Sequence, residues 1–93
     1  MKVIELKSDP PIFDLHYRGL KNFDMRETRD RDVEAGDILY LREFDRGSQI
    51  YSGRTIRYLV LWVMNGPAYA GLKKGSCIMS LHSSTIKMEN DFP

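Results

Sequence analysis

Apolar and polar side chains alternate along most of this chain, which predicts a protein built mainly of short β-strands. Residues 2–7, 22–26 and 37–44 place an apolar side chain at about every second position, the period of a strand with one buried face. Residues 55–64 hold a nearly unbroken apolar run, typical of a strand covered on both faces, and residues 77–81 form a last strand. The alternation predicts one core that contains Phe23, Met25, Ile38, Val60 and Trp62.

One short amphipathic helix is predicted over residues 12–20, because the apolar side chains there recur with the period of a helix. Asp9 before Pro10 and Pro11 suits a helix start, where a side-chain oxygen caps free amides and proline is tolerated. His16 lies within this helix and is predicted to be a surface or half-buried side chain.

Short strands with one early helix predict the α+β class, as a small antiparallel or mixed β-barrel of about five to six strands with one or two short helices. A chain of 93 residues supports one core, so residues 1–82 are predicted to be a single domain. Residues 83–93 have the polar composition of a C-terminal tail.

Charge and cysteine content narrow the function classes. The net charge is +1, so a nucleic-acid surface would be a local patch of cations rather than a global field. The single cysteine, Cys77, excludes an internal disulfide and does not specify a zinc site, so no metal and no cofactor are predicted. The first residues lack an apolar signal segment, and the longest apolar run is far below the roughly 20 residues that cross a bilayer. These features predict a cytoplasmic protein that does not enter a membrane.

Three charged residues just after the helix form the main candidate site. The alternation turns Asp24 and Arg26 to the outer face of a strand, close to Lys21. A lysine and an arginine at this spacing suit a phosphate or a base carbonyl, because arginine offers a planar fork and lysine a point charge. The alternative is an ordinary pair of surface cations that Asp24 and Glu27 neutralise.

The segment that follows supplies two more candidate cations. Residues 27–34 alternate in charge with almost no apolar side chain. If this loop returns over the strand, Arg29 and Arg31 join Lys21 and Arg26 in one cationic pocket. The alternative is a solvated loop, because runs of mixed charge also arise for solubility alone.

Aromatic side chains are candidates for stacking on a nucleotide base, since aromatic faces bind single strands without strict sequence preference. The candidates are Tyr40, Tyr51, Tyr69 and Trp62. Trp62 is interpreted as a core residue, because it lies in the longest apolar run. Tyr69 lies in a glycine-rich loop shortly before Lys73 and Lys74, a combination that suits a base and its phosphate. The same glycines equally fit a plain flexible hairpin.

The spacing of these charged residues resembles that of a known family. Gly19-x-Lys21-x-x-Asp24-x-Arg26 followed by Gly36-Asp37-Ile38-Leu39 resembles the ASCH domain family, a branch of the PUA-like small β-barrels. A small phage-associated ASCH subfamily is still more similar, through Glu5-Leu6-Lys7, Arg29-Asp30-Arg31-Asp32, Leu41-Arg42-Glu43-Phe44-Asp45 and Tyr51-Ser52-Gly53-Arg54. The resemblance covers residues 3–82 and implies a PUA-like barrel with Lys21, Asp24 and Arg26 lining a cleft beside it.

The resemblance also bears on catalysis. One ASCH branch removes the acetyl group from acetylcytidine with a lysine, a glutamate and a threonine nucleophile three positions after the lysine. That position is Asp24 in this sequence, and a carboxylate has no hydroxyl to deprotonate. The resemblance therefore favours a binding protein over an enzyme.

Together these observations predict a small nucleic-acid-binding module with a cationic cleft, whose partner is RNA or a modified nucleotide. A duplex DNA reader is disfavoured because no basic recognition helix is present in the sequence. The predicted binding residues are Lys21, Asp24, Arg26, Arg29, Arg31, Tyr69, Lys73 and Lys74. Two alternatives stay open. One is an amidohydrolase-like enzyme that acts on a modified nucleoside with Lys21 and Asp24, and the other is a phage accessory protein that binds and inhibits a host protein in the host cytoplasm.

Overall fold

Six β-strands and one α-helix form the part of the chain that this computed structural model describes, namely residues 1–27, 32–68, 71–82 and 86–88. In chain order they are β1 (Val3–Ser8), α1 (Pro10–Tyr17), β2 (Phe23–Glu27), β3 (Ile38–Asp45), β4 (Ile50–Asn65), β5 (Ser76–Leu81) and β6 (Ile86–Met88). The predicted α+β class with one early helix is confirmed. The short strand β6 falls in the segment whose composition predicts a polar tail.

The strands form one mixed sheet in the order β1-β3-β4-β5-β2, and β6 pairs with β4 beside this path. β1 and β3 run parallel, whereas the other pairs are antiparallel. The long strand β4 serves both halves of the sheet, because it pairs with β3 as far as Leu59 and with β5 from Val60 onward. Within the described ranges β1 and β2 do not pair with each other, so the path of strands stays open.

The core lies between α1 and the inner face of the sheet. α1 contributes Phe13, which is fully buried and stacks on Tyr17 with 5.8 Å between the ring centroids. The other buried core residues are Ile4, Val33, Leu39, Leu41, Ile56, Tyr58, Val60, Cys77, Met79 and Leu81. Each large apolar side chain buried in this way stabilises the fold by about 1.5 to 3 kcal/mol. Val60 is buried as predicted, whereas Ile38 is only half-buried.

Strand β2 confirms the predicted alternation but reverses its phase. Phe23 and Met25 are 50% and 59% exposed while Asp24 is only 3% exposed, so the prediction of Phe23 and Met25 as core residues is wrong. Asp24 takes the inner position because Lys21 and Arg26 neutralise its charge there. Alternation alone does not choose between the two faces, since a shift of one residue exchanges them.

A β-bulge in β4 overturns the prediction that Trp62 is a core residue. Val60 pairs with Leu81 and Trp62 pairs with Ser80, so Leu61 is an extra residue without a counterpart on β5. The extra residue exchanges the inner and outer faces of the strand beyond it. Val60 is therefore 1% exposed while Trp62, two positions later, is 55% exposed.

The buried carboxylate of Asp37 joins the start of β1 to the start of β3. Its two partner residues are Lys2 and Glu34. Asp37 accepts hydrogen bonds from the backbone amides of Lys2 and Glu34, both at 2.9 Å. The Lys2 ammonium lies 2.9 Å from the same carboxylate. Burial by itself raises the pKa of Asp37, but these hydrogen bonds outweigh it and lower the pKa to about 2. The preceding Gly36 has a φ of 95°, which glycine adopts without strain.

Candidate functional site

A cleft of about 240 Å³ opens between the end of β1 and strand β2, the two ends of the open strand path. α1 and the turn after β3 complete its walls. Its charged lining residues are Lys7, Asp9, Lys21, Asp24, Arg26 and Arg46. Four cations against two carboxylates give this cationic cleft a net charge of +2, although the whole chain carries only +1.

Lys21 and Arg26 flank the carboxylate of Asp24 at the centre of the cleft lining. Arg26 Nε donates a hydrogen bond to Asp24 Oδ2 at 2.8 Å, and Lys21 Nζ lies 3.6 Å from Oδ1. The two cationic side chains are partly exposed while the carboxylate is buried. The structure thus brings these three predicted site residues together, but the predicted outward orientation of Asp24 is wrong.

Backbone hydrogen bonds fix the segment that carries Lys21. The amides of Leu20 and Lys21 both donate to the carbonyl of Leu15 in α1, at 2.9 and 3.2 Å. The next carbonyl, that of Asn22, accepts a hydrogen bond from the amide of Leu81 in β5 at 3.0 Å. The lysine is therefore anchored between the helix end and the sheet, so its position does not depend on its own side chain.

Arg46 and Asp9 form a second ion pair at the rim of the cleft. Arg46 Nε donates to Asp9 Oδ1 at 2.8 Å, and both side chains are well exposed. Asp9 stands at the start of α1, but its side chain makes no capping hydrogen bond there and binds Arg46 instead. The sequence signals neither Arg46 nor Lys7 as a site residue, because only the tertiary fold carries β1 and the turn after β3 to β2.

His16 and Tyr58 form a buried pair that supports the backbone next to the cleft. Tyr58 Oη lies 3.0 Å from His16 Nδ1 and 3.4 Å from the carbonyl oxygen of Lys21. Burial lowers the pKa of His16, and burial together with the charge of Asp24 raises the pKa of Tyr58 to about 12. His16 is almost fully buried, so its prediction as a surface or half-buried residue is wrong. Packing of α1 on the sheet decides which helical face is inside.

Of the other predicted cations, Lys73 and Lys74 are described by the structure and lie away from the cleft. Arg29, Arg31 and Tyr69 lie outside the residues that the structure describes. Lys73 Nζ lies 3.3 Å from a carboxylate oxygen of Glu27, at the end of β2 about 10 Å along the strand from Asp24. Lys74 is exposed near the same end. Neither Lys73 nor Lys74 is part of the cleft lining.

Two of the predicted stacking tyrosines already have cations against their rings. The guanidinium of Arg57 lies 4.3 Å from the ring centroid of Tyr40, and that of Arg42 lies 3.7 Å from the ring centroid of Tyr51. Both tyrosines are half-buried. These contacts occupy ring surface that a nucleotide base would need.

The described part of the chain contains neither a metal-ligand cluster nor a helix that could span a membrane. Residues 1–27, 32–68, 71–82 and 86–88 contain no group of three or more histidine, cysteine, aspartate or glutamate residues placed to hold a metal ion. In the same ranges no helix has the length and apolar character needed to span a membrane.

A family model described as "Domain of unknown function (DUF3850)" matches residues 3–81. The match spans most of the chain and includes every residue that lines the cationic cleft. No curated protein matches the chain. The function must therefore be argued from the charges and geometry of the cleft.

Proposed function

This chain belongs to the DUF3850 family, and because that description assigns no activity we propose a function from the cationic cleft. The protein is a small PUA-like module that binds single-stranded RNA or a modified nucleotide. Lys21 and Arg26 hold a phosphate of the ligand, and Lys7 and Arg46 contribute further positive charge. The observation that carries the proposal is the meeting of four cations from separate segments at one cleft.

Lys21 and Arg26 are paired with Asp24 in a way that allows a phosphate to take the place of its carboxylate. Asp24 holds Lys21 and Arg26 in place when the cleft is free of ligand, since both lie within 3.6 Å of its oxygens. Their partly exposed side chains can reach an incoming phosphate without breaking any backbone hydrogen bond. Arginine binds phosphate through a planar fork and lysine through a point charge, so the pair supplies both modes.

The dimensions of the cleft favour a small part of a nucleic acid. Its volume of about 240 Å³ lies below the range of roughly 300 to 1,000 Å³ that is common for pockets enclosing a whole small molecule. A phosphate with part of its nucleotide fits this space, and the rest of the ligand lies outside. In the described part of the chain the one helix, α1, carries no lysine or arginine, so it does not suit the major groove of a duplex.

The path of the strands supports the PUA-like assignment and the ASCH resemblance. β1 and β2 are the two ends of the path, yet both line the same cleft, which supports a sheet that curves toward closure. The helix α1 lies beside this gap and contributes Ile12 to the cleft. The ASCH resemblance implies a PUA-like barrel with a cleft beside it, and a cleft at the edge strands of a curved sheet supports that expectation.

The amidohydrolase alternative has less support. Asp24 stands at the position of the threonine nucleophile in the hydrolytic ASCH branch, and its carboxylate is bound to Lys21 and Arg26. A lysine that acts as a base must be free to approach the hydroxyl whose proton it takes, whereas Lys21 lies in an ion pair with Asp24. Incubation with acetylcytidine is expected to release no acetate. A release of acetate that is lost in Lys21→Gln would favour the enzyme.

Binding of a fluorescent eight-nucleotide oligouridylate, followed by anisotropy between 50 and 200 mM salt, tests the proposal. Two or three phosphate contacts predict a log-log salt slope of about −1.5 to −2. Arg26→Gln is expected to weaken binding about 10-fold, because it removes one charge-assisted contact. The matched control is Arg18→Gln, which removes the same charge from an exposed arginine outside the cleft lining and is expected to change affinity less than about two-fold.

Two results would contradict this function. An equal loss in Arg26→Gln and Arg18→Gln would show that the cleft is not the binding site. Undetectable RNA binding at 50 mM salt, together with a stable complex between the protein and a host protein, would favour the partner-blocking alternative.

A further inference from the structure

The outer face of β2, β5 and β4 is an exposed apolar surface beside the cationic cleft. Strand pairing places Phe23 of β2, Ser80 of β5 and Trp62 of β4 in one row across the sheet. The next row contains Met25, Ile78 and Met64. Residues directly opposite one another on paired strands share a face, so both rows lie on the same side. We call Phe23, Ser80 and Trp62 the aromatic row.

The aromatic row has the layout of a stacking site. Phe23 and Trp62 are half exposed, and the small side chain of Ser80 lies between them. Two strand spacings separate the two aromatic residues, which is about 10 Å. A planar ring can lie above Ser80 with an aromatic side chain on either side, because stacked rings need centroid separations of about 4.5 to 7 Å.

The β-bulge gives the exposure of Trp62 a specific cause. In a regular strand Leu61 would pair with Ser80 and Trp62 with Met79, and the two-residue period would put Trp62 on the same inner face as Val60. Burying a side chain of this size is favourable, so the bulge forgoes that burial and presents the indole to solvent. Bulges that turn a side chain in this way are common beside functional sites.

The aromatic row is continuous with the cationic cleft through β2. Lys21 Nζ lies 5.2 Å from the ring centroid of Phe23, and Met25 of the second row also lines the cleft. β2 is an edge strand, so in the described part of the chain no further strand separates the cations from the rings. A single-stranded nucleic acid matches both surfaces, because its negative phosphates suit the cations and its planar, uncharged bases suit the rings.

We propose that the aromatic row stacks a base of single-stranded RNA whose phosphate lies in the cationic cleft, an inference that rests on the proposed function. Trp62 and Phe23 supply the stacking faces, and Ser80 leaves the space between them. The bound strand crosses β2 from the cleft to the outer face of the sheet. Bases are read by shape and stacking, so little sequence preference is expected.

Trp62 is the sole tryptophan of the chain, so its fluorescence reports directly on this surface. An eight-nucleotide oligouridylate is expected to quench the emission, whereas an abasic oligomer with the same number of phosphates leaves it unchanged. The abasic oligomer is also expected to bind about 10-fold more weakly, because stacking is lost and the phosphate contacts remain.

Three variants separate stacking from general apolar contact. Trp62→Phe keeps a ring and is expected to bind the oligouridylate within about three-fold of the parent, whereas Trp62→Leu is expected to bind about 5- to 100-fold more weakly. Ile50→Ala is the matched control, an exposed apolar residue at the far end of β4, and leaves affinity unchanged. Thermal unfolding of each variant checks that the fold is intact.

Each contrary outcome has a separate meaning. If Trp62→Leu binds like the parent while Arg26→Gln binds weakly, the stacking site is overturned and the phosphate cleft stands. If neither oligomer binds, both proposals fail. If sedimentation shows that the parent forms a dimer, that Trp62→Leu weakens this dimer and that the oligouridylate does not quench Trp62 in the parent, a second copy of the chain covers this surface and the stacking site is overturned.

Discussion

Two carboxylates, Asp37 and Asp24, are almost equally buried and each contacts a lysine, yet they are held in different ways. Asp37 accepts hydrogen bonds from two backbone amides in addition to its ion pair with Lys2. Asp24 is held by the side chains of Lys21 and Arg26 at the cationic cleft. The two carboxylates are therefore similarly buried, but Asp37 is bound largely by backbone amides and Asp24 by side chains.

The difference in partners determines what each carboxylate can do. A backbone amide cannot turn to another acceptor, so loss of Asp37 leaves buried donors unsatisfied at the junction of β1 and β3. Lysine and arginine side chains can rotate toward another anion when one is present. We infer that Asp37 stabilises the fold, whereas Asp24 pairs with two cations that can exchange it for the anion of a ligand.

The largest expected effect comes from Asp37→Ala, which removes the acceptor for both backbone amides. The free energy of unfolding at pH 7 is expected to fall by about 2 kcal/mol, and Tm by about 10 °C. Thermal unfolding followed by circular dichroism measures this change. RNA affinity should stay the same, since Asp37 does not line the cleft. The control is Asp14→Asn, an exposed carboxylate whose replacement should cost less than about 1 kcal/mol.

The contribution of Asp37 to stability is also expected to depend on pH. Its pKa is about 2 in the folded protein against an ordinary value of 3.8, so its ionised form stabilises the fold above pH 3.8. This stabilisation is lost as the pH falls from 3.8 through about 2. The stability difference between the parent and Asp37→Asn should therefore be constant from pH 7 to 4 and shrink below that. A difference that persists unchanged at pH 2 would assign the effect to packing.

Asp24→Asn is expected to lower the stability less than Asp37→Ala does, and to strengthen RNA binding. Neutralising this carboxylate frees Lys21 and Arg26, so the oligouridylate should bind about 5-fold more tightly at low salt. The free energy of unfolding should fall by less than half as much as in Asp37→Ala, because among the described residues Asp24 is held by side chains rather than by backbone amides. Anisotropy and thermal unfolding measure the two quantities. Unchanged affinity combined with a stability loss as large as that of Asp37→Ala would make Asp24 a structural residue.

The smallest effect is expected from Lys73→Ala. Lys73 forms an exposed ion pair with Glu27 away from the cleft, and such pairs contribute about 0 to 1 kcal/mol. Stability should change by less than about 0.5 kcal/mol and RNA affinity by less than about two-fold. Lys73→Arg, which keeps the charge, is the control. A loss of affinity above five-fold in Lys73→Ala alone, restored in Lys73→Arg, would extend the binding surface to the far end of β2.

Local patterns predicted α1 and the first five strands of the described fold, but not β6. Two-residue alternation predicts β1, β2 and β3, the apolar run predicts β4, and a helical period after Asp9 predicts α1, because these periods follow from backbone geometry. The ASCH resemblance, rather than the spacing by itself, pointed to Lys21, Asp24 and Arg26 as residues of one cleft, and all three line it. They lie within six residues of one another, so a single turn and strand suffice to bring them together.

The faces of the strands and the extent of the cleft were decided only by the tertiary structure. Alternation has two phases of equal regularity, and ion pairing of Asp24 selects the phase that exposes Phe23. The bulge at Leu61 leaves no mark in the periodicity of an apolar run, yet it moves Trp62 from the core to the surface. Arg46 reaches the cleft through strand order, a long-range property that depends on how the whole chain packs rather than on any local segment.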